Sequence, residues 1–252
     1  MSAPTLLLVA HGSRDVRFAA TARRVADAAA GALPGVVVKL AYLDLNEPLV
    51  GDVLASERGE VVVVPLLFGD GYHSKVDLPA IVADAHRRNP SLHATVTRVV
   101  GRHSPVPALV DRLAEALEPV PFDKLKEREA ARVGVLMYAV GSSDAGSDAS
   151  IIERGAELAG VLGAPVETVF ATRLGPDGQA VRDAVDRLRS AGATHIAASP
   201  LFLSAGLLTE RTARVLDEVA PGSTVAGPIG AHPALIDAIS HLYLSAAAAP
   251  VA

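Results

Sequence analysis

Two histidines and one aspartate in the first third of the chain have the types and spacing to hold a divalent metal ion. His11 stands in LLLVAHGSRD, Asp44 in AYLDLNEP and His73 in PLLFGDGYHSKVDLP. Each follows an apolar run of strand character. In a parallel sheet all three would emerge at the carboxyl edge, where open α/β sheets bind their ligands. Two imidazoles and a carboxylate suit a borderline ion such as Fe²⁺, Co²⁺ or Ni²⁺. A single histidine after a strand is ordinarily a capping or hydrogen-bonding residue. The pair, with a carboxylate from the intervening strand, is what raises a metal site. Glu47 is the alternative carboxylate, although it reads first as a favourable charge in the first turn of a helix.

Donors for an anionic ligand lie beside these residues. Ser13 and Arg14 fall at an expected helix N-terminus, where free N–H groups favour anions. An N-cap role is the competing reading of Ser13. Ser74 and Lys75 flank His73, and Arg211, in LLTERTAR, is the candidate from the second half. Asp77 and Pro79 read as helix-start residues. His86, His93 and His103 show no shared site and read as surface residues. His195 opens a strand and His232 precedes a helix, both structural positions, and His241 lies on the last helix.

The elements that must position these residues alternate. Strands are expected at 5–10, 36–43, 60–68 and 92–100, with helices at 15–31, 47–57, 79–88 and 107–117 between and after them. Pro48 would sit in a first helical turn. Residues 118–132 (EPVPFDKLKEREAAR) break the pattern with two prolines and dense charge. The alternation then restarts, with strands at 133–139, 166–171, 195–201 and 223–226 and helices at 147–162, 178–191, 209–219 and 233–244. Strands alternating with helices imply parallel βαβ units.

The halves repeat each other in motif order. Pro107-Ala108-Leu109-Val110-Asp111 recurs as Pro233-Ala234-Leu235-Ile236-Asp237. Gly12-Ser13-Arg14-Asp15 recurs as Gly141-Ser142-Ser143-Asp144, and Pro65-Leu66-Leu67-Phe68 as Pro200-Leu201-Phe202-Leu203. This divides the chain into residues 1–118, a linker at 119–132, and residues 133–252. Val140 then stands where His11 stands, Leu208 where His73 stands and Thr172 where Asp44 stands. Only the first half keeps a full set of ligands, so one metal site is expected.

Composition narrows the chemistry. The 252 residues are 50% hydrophobic but only 4% aromatic. The core must therefore be Ala, Val and Leu, as in helices packed on parallel sheets. With no cysteine, disulfides, thiolate sites and Fe–S clusters are excluded. A net charge of −5 argues against a general nucleic-acid role. No stretch is apolar enough to span a membrane. The opening TLLLVAHGSRD reads as a strand and not a signal peptide, so a cytoplasmic location is expected.

Taken together, LLLVAHGSRD, AYLDLNEP and PLLFGDGYHSKVDLP resemble the sirohydrochlorin chelatases of siroheme and cobalamin synthesis, the ATP-independent class II family, in its long two-half form. The resemblance covers the first half in order, and the duplication fits the long form. It implies an α/β fold of two duplicated flavodoxin-like parallel-sheet halves facing a central cleft. It implies a monomer that inserts a divalent metal, Fe²⁺ favoured, into sirohydrochlorin. Cobalt or nickel insertion, or non-catalytic carriage of pigment or metal, are the alternatives. By resemblance, the metal-binding and catalytic residues are His11, His73 and Asp44. Asp44 stands where the family often has Glu. No tightly bound cofactor is expected, the metal being a substrate, and the chain has no Walker A loop and no GxGxxG motif. A histidine phosphatase would need an arginine before the turn histidine, where this chain has Ala10. A two-lobed sugar- or amino-acid-binding protein would usually carry an export signal.

Overall fold

The protein was analysed as a computed structural model that describes residues 3–69, 71, 76–117 and 132–248. Its elements follow the expected alternation. Strand β1 (Thr5–Ala10) leads to α1 (Val16–Ala32), β2 (Val38–Tyr42), α2 (Val50–Ser56), β3 (Gly59–Pro65), α3 (Leu78–Arg88), β4 (Leu92–Val96) and α4 (Val106–Leu117). The second series runs β5 (Val133–Ala139), α5 (Ala145–Leu162), β6 (Val166–Phe170), α6 (Gln179–Ser190), β7 (His195–Pro200), α7 (Leu207–Val219), β8 (Thr224–Val225) and α8 (Pro233–Ala247). The expected strands at 36–43, 60–68 and 92–100 end sooner than their apolar runs do. Leu66 and Val99, for example, are buried in the loops that follow. Pro48 does not open a helix. It lies before α2, in the segment whose main chain supports β2 through a bond from Tyr42 N–H to the Pro48 carbonyl, 3.0 Å.

Each series forms a four-stranded parallel sheet. The orders are β2-β1-β3-β4 and β6-β5-β7-β8. This is the doubly wound order of a flavodoxin-like sheet, so the expected fold class holds. The inner strands β1, β3, β5 and β7 are buried at nearly every position instead of alternating, because helices cover both faces of each sheet there. In the first sheet Leu7, Val9, Val61 and Val63 pack with Val50 and Leu54 of α2 and Leu78 of α3. In the second, Leu136, Tyr138, Ile196 and Ala198 pack with Val181, Val185 and Leu188 of α6 and Leu216 of α7.

The opposite faces contain an exchange. The chain forms two compact units, one of residues 1–103 with 230–252, the other of residues 104–229. In the first unit, α8 packs on α1 and β3. The Tyr243 hydroxyl donates to the Pro4 carbonyl at 2.7 Å, and the His241 and His103 rings lie 4.7 Å apart. In the second unit, α4 packs on α5, β7 and β8. Arg112 of α4 donates to the Ile229 carbonyl at 3.0 Å. The last helix of each sequence repeat therefore covers the sheet of the other repeat, and the compact units differ from a division at 1–118 and 133–252. Of the expected linker, residues 118–131 lie outside the described residues.

Candidate metal site at the first sheet edge

Strand β1 delivers its chain into a turn, His11-Gly12-Ser13, that only glycine can form here. Gly12 has φ +102°, and a Cβ on it would lie 1.7 Å from the Asp44 carbonyl oxygen. The absent side chain lets the loop after β2 close onto the turn after β1. Leu43 N–H donates to the Ala10 carbonyl at 2.9 Å, and Asp44 N–H donates to the His11 carbonyl at 3.0 Å. The bonding of parallel strands thus continues past both strand ends and brings the main chains of His11 and Asp44 together. His11 is half-buried, with Nδ1 3.1 Å from the Gly12 carbonyl. Asp44 is exposed, and its Oδ1 accepts from Leu45 N–H at 2.7 Å, with Leu45 at φ +63°.

Helix α1 begins after this turn, and its N-cap is Asp15, not Ser13. Asp15 Oδ1 accepts from Arg17 N–H at 3.0 Å, while Ser13 Oγ accepts from Asp15 N–H at 3.0 Å. The Arg17 guanidinium beside Asp15 holds its carboxyl down to about 2. Ser13 N–H does not stand free for an anion, because Asn46 Oδ1 accepts it at 2.7 Å. Arg14 is exposed and forms no ion pair among the described residues. Glu47 is exposed in the loop ahead of α2, which begins at Val50, so it is not a first-turn helix charge. His73, Ser74 and Lys75 lie outside the described residues. Beyond them, Asp77 takes the N-cap position of α3 and Pro79 its first turn, as expected.

The second sheet edge repeats the main chain without the histidine and the aspartate. Ala171 N–H donates to the Ala139 carbonyl at 2.8 Å, and Thr172 N–H to the Val140 carbonyl at 3.1 Å. These bonds match those of Leu43 and Asp44, so Val140 and Thr172 occupy the places of His11 and Asp44. Thr172 Oγ1 is turned back on the Val140 carbonyl at 2.7 Å, and Val140 is exposed. Residues 66–77 separate β3 from α3, but 201–206 suffice between β7 and α7. Leu208, which matches His73 by spacing, is therefore inside a helix. Arg211 on α7 is exposed and donates to the Ala171 carbonyl at this edge.

The remaining histidines are structural or superficial. His232 caps α8, its Nδ1 accepting from Ala234 N–H at 3.2 Å, and His195 Nε2 lies 2.9 Å from Thr224 Oγ1. His86 and His93 are exposed, with rings 6.4 Å apart. His103 is not the isolated surface residue expected, since it packs on His241. Burial, His241 and Arg98 together lower its pKa below the ordinary 6.5. Among the described residues, no group of three or more His, Asp or Glu side chains is placed to hold a metal ion.

Fold and edge together define a class: a duplicated doubly wound α/β protein, with a histidine and an aspartate bonded through their main chains at the carboxyl edge of one sheet and apolar or neutral residues in their places on the other. The CbiX family model matches residues 5–116 and again 134–246, so the chain belongs to the CbiX family. This bears out the resemblance read from the motifs, and the two matches coincide with the two sequence repeats. The sirohydrochlorin cobaltochelatase of Priestia megaterium is 26% identical over 247 residues, 92% of this chain and 76% of the relative. Two solved structures share the fold. The sirohydrochlorin chelatase SirB of Bacillus subtilis subspecies spizizenii, in complex with cobalt, has a TM-score of 0.75 at 20% identity and covers 97% of this chain and 95% of its own. SirB of Bacillus subtilis with Fe³⁺ has a TM-score of 0.77 at 21% identity, covering 98% and 96%.

Proposed function

We propose that the protein inserts a divalent metal ion into a sirohydrochlorin-type tetrapyrrole without nucleotide, with His11, Asp44 and His73 as the residues that hold the ion. The observation that supports this most is the bond from Asp44 N–H to the His11 carbonyl in a chain that belongs to the CbiX family. It joins the main chains of a histidine and an aspartate at a sheet edge where α/β proteins bind ligands.

Insertion needs the ion stripped of water and the inner pyrrole N–H protons removed. A neutral imidazole can do either task, as a ligand or as a proton acceptor. The Asp44 carboxylate offsets the charge of the ion. Arg14 and Arg211, both exposed and able to donate, take carboxylates on the rim of the pigment, joined by Ser13 through its hydroxyl and by Ser74 and Lys75. Imidazole and carboxylate donors serve Fe²⁺ and Co²⁺ alike. The iron preferred on sequence grounds competes with the cobalt in the name of the Priestia relative.

The test is anaerobic metallation of sirohydrochlorin by the purified chain, followed by the change in pigment absorbance, with Fe²⁺ and Co²⁺ in parallel. We expect turnover well above the uncatalysed rate, and its loss in His11→Ala and His73→Ala with the fold retained by circular dichroism. Binding of pigment without turnover would make the protein a carrier. Parental turnover in both variants would remove the proposed site.

A further inference from the structure

We propose that Asn46 is a positioning residue that fixes the His11 turn against the Asp44 loop. The inference rests on the metal-site reading above. Residues 11–13 have no regular secondary structure, so partners outside the turn must hold its shape. Asn46 reaches it from the loop that carries Asp44. Its Oδ1 accepts from Ser13 N–H at 2.7 Å, and its own N–H donates to the Asp44 carbonyl at 2.8 Å. With the bond from Asp44 N–H to the His11 carbonyl, these contacts close a ring through both residues. The loop also holds Leu45 at a φ of +63°, a conformation that L side chains seldom keep without support.

The second half shows what this arrangement adds. Ser142 N–H, the counterpart of Ser13 N–H, is accepted at 2.8 Å by Asp148 Oδ1 from the first turn of α5. Arg173 pairs with that carboxylate. The same amide is anchored by a carboxylate of the following helix, which reaches the residue after Thr172 only through its ion pair with Arg173, whose guanidinium also donates to the Ser142 carbonyl. In the half with His11 and Asp44, one residue of the loop does this directly, Asn46 taking the Ser13 amide and bonding the Asp44 carbonyl. It also uses a neutral amide, which adds no second anion beside an incoming cation.

The test uses the full chain, Co²⁺ alone as the probe and three variants. In Asn46→Ala we expect Co²⁺ affinity to fall about tenfold or more, as for lost outer-shell partners of metal ligands. Amide hydrogen exchange over residues 11–15 and 44–47 should accelerate at the same time. Asn46→Asp keeps the acceptor and should restore the slow exchange. Asp148→Ala removes the matching anchor in the other half and should leave Co²⁺ affinity within about twofold, because that edge has no ligands. Parental affinity in Asn46→Ala would overturn the inference, as would an equal loss in Asp148→Ala or no rescue of slow exchange by Asn46→Asp. If the parent binds no Co²⁺, the metal site and this inference fail together. If it binds Co²⁺ without metallating sirohydrochlorin, the proposed function fails while Asn46 is still judged on Co²⁺ affinity.

Discussion

Gly12 carries the sharpest steric constraint at the site. Alanine there would place its Cβ 1.7 Å from the Asp44 carbonyl oxygen, at a φ of +102°. Neither the backbone nor a main-chain oxygen can move without parting the two loops. Gly12→Ala should therefore destabilise the fold by about 3 kcal/mol or more and weaken Co²⁺ binding as well. At Gly141, also at a positive φ of +89°, an added Cβ would meet Phe170 Cβ at 2.8 Å and Thr172 Oγ1 at 2.9 Å, a less severe overlap. Gly141→Ala should lower stability less and leave Co²⁺ binding unchanged. Chemical denaturation and a Co²⁺ titration of both variants check this, and equal effects on metal binding would contradict it.

Helix starts and helix docking supply the next level of control. Asp144 caps α5 by accepting from Gly146 N–H at 2.8 Å and Ser147 N–H at 3.1 Å. Its loss in Asp144→Ala should lower stability by about 1 kcal/mol, read as a modest fall in the thermal midpoint. The docking of α8 depends on pH through His103. Its pKa is lowered in the folded protein by burial, by His241 and by Arg98. The unfolded chain therefore takes up the proton first, and stability falls as pH drops below about 6.5, levelling off once pH is below the lowered folded value. His103→Gln should remove part of that loss. Urea midpoints at pH 7.5 and pH 5.5 would show it as a smaller difference than in the parent, and an unchanged difference would exclude His103 as a source.

At the scale of the whole molecule, duplication and helix exchange act together. Residues 1–117 include a complete sheet but not the helix that covers one face of it. Without α8, helix α1 and strand β3 lose the helix that packs on them, and with it Ile239, Leu242 and Tyr243, all buried in the full chain. An isolated 1–117 fragment should associate or fail to unfold cooperatively. A stable monomer by sedimentation with a sharp thermal transition would contradict this. Asymmetry between the sheet edges makes a further prediction. Val140 offers no ligand and the Thr172 hydroxyl is bonded to the main chain. Calorimetric titration of the full chain with Co²⁺ should therefore give one tight site, and Val140→His should not create a second of similar affinity.

The strand and helix order and the duplication could both be read along the chain. They rest on local rules: apolar runs buried on both faces, prolines and glycines between elements, and repeated short motifs. Helix ends were legible to within a few residues, but their caps were not. Ser13 and Asp15 are both good capping residues, and only the fold shows Asp15 at the N-cap with Ser13 supporting it. Asn46 carried no signal, because its amide meets Ser13 across 33 residues of chain. The pairing of His103 with His241 was hidden for the same reason. The exchange of α4 and α8 was the least legible of all. Each helix has an apolar face that would fit either sheet, and the periodicity of a sequence states that a face must be buried but not against which partner. That choice is made by long-range packing, which is a property of the tertiary structure alone.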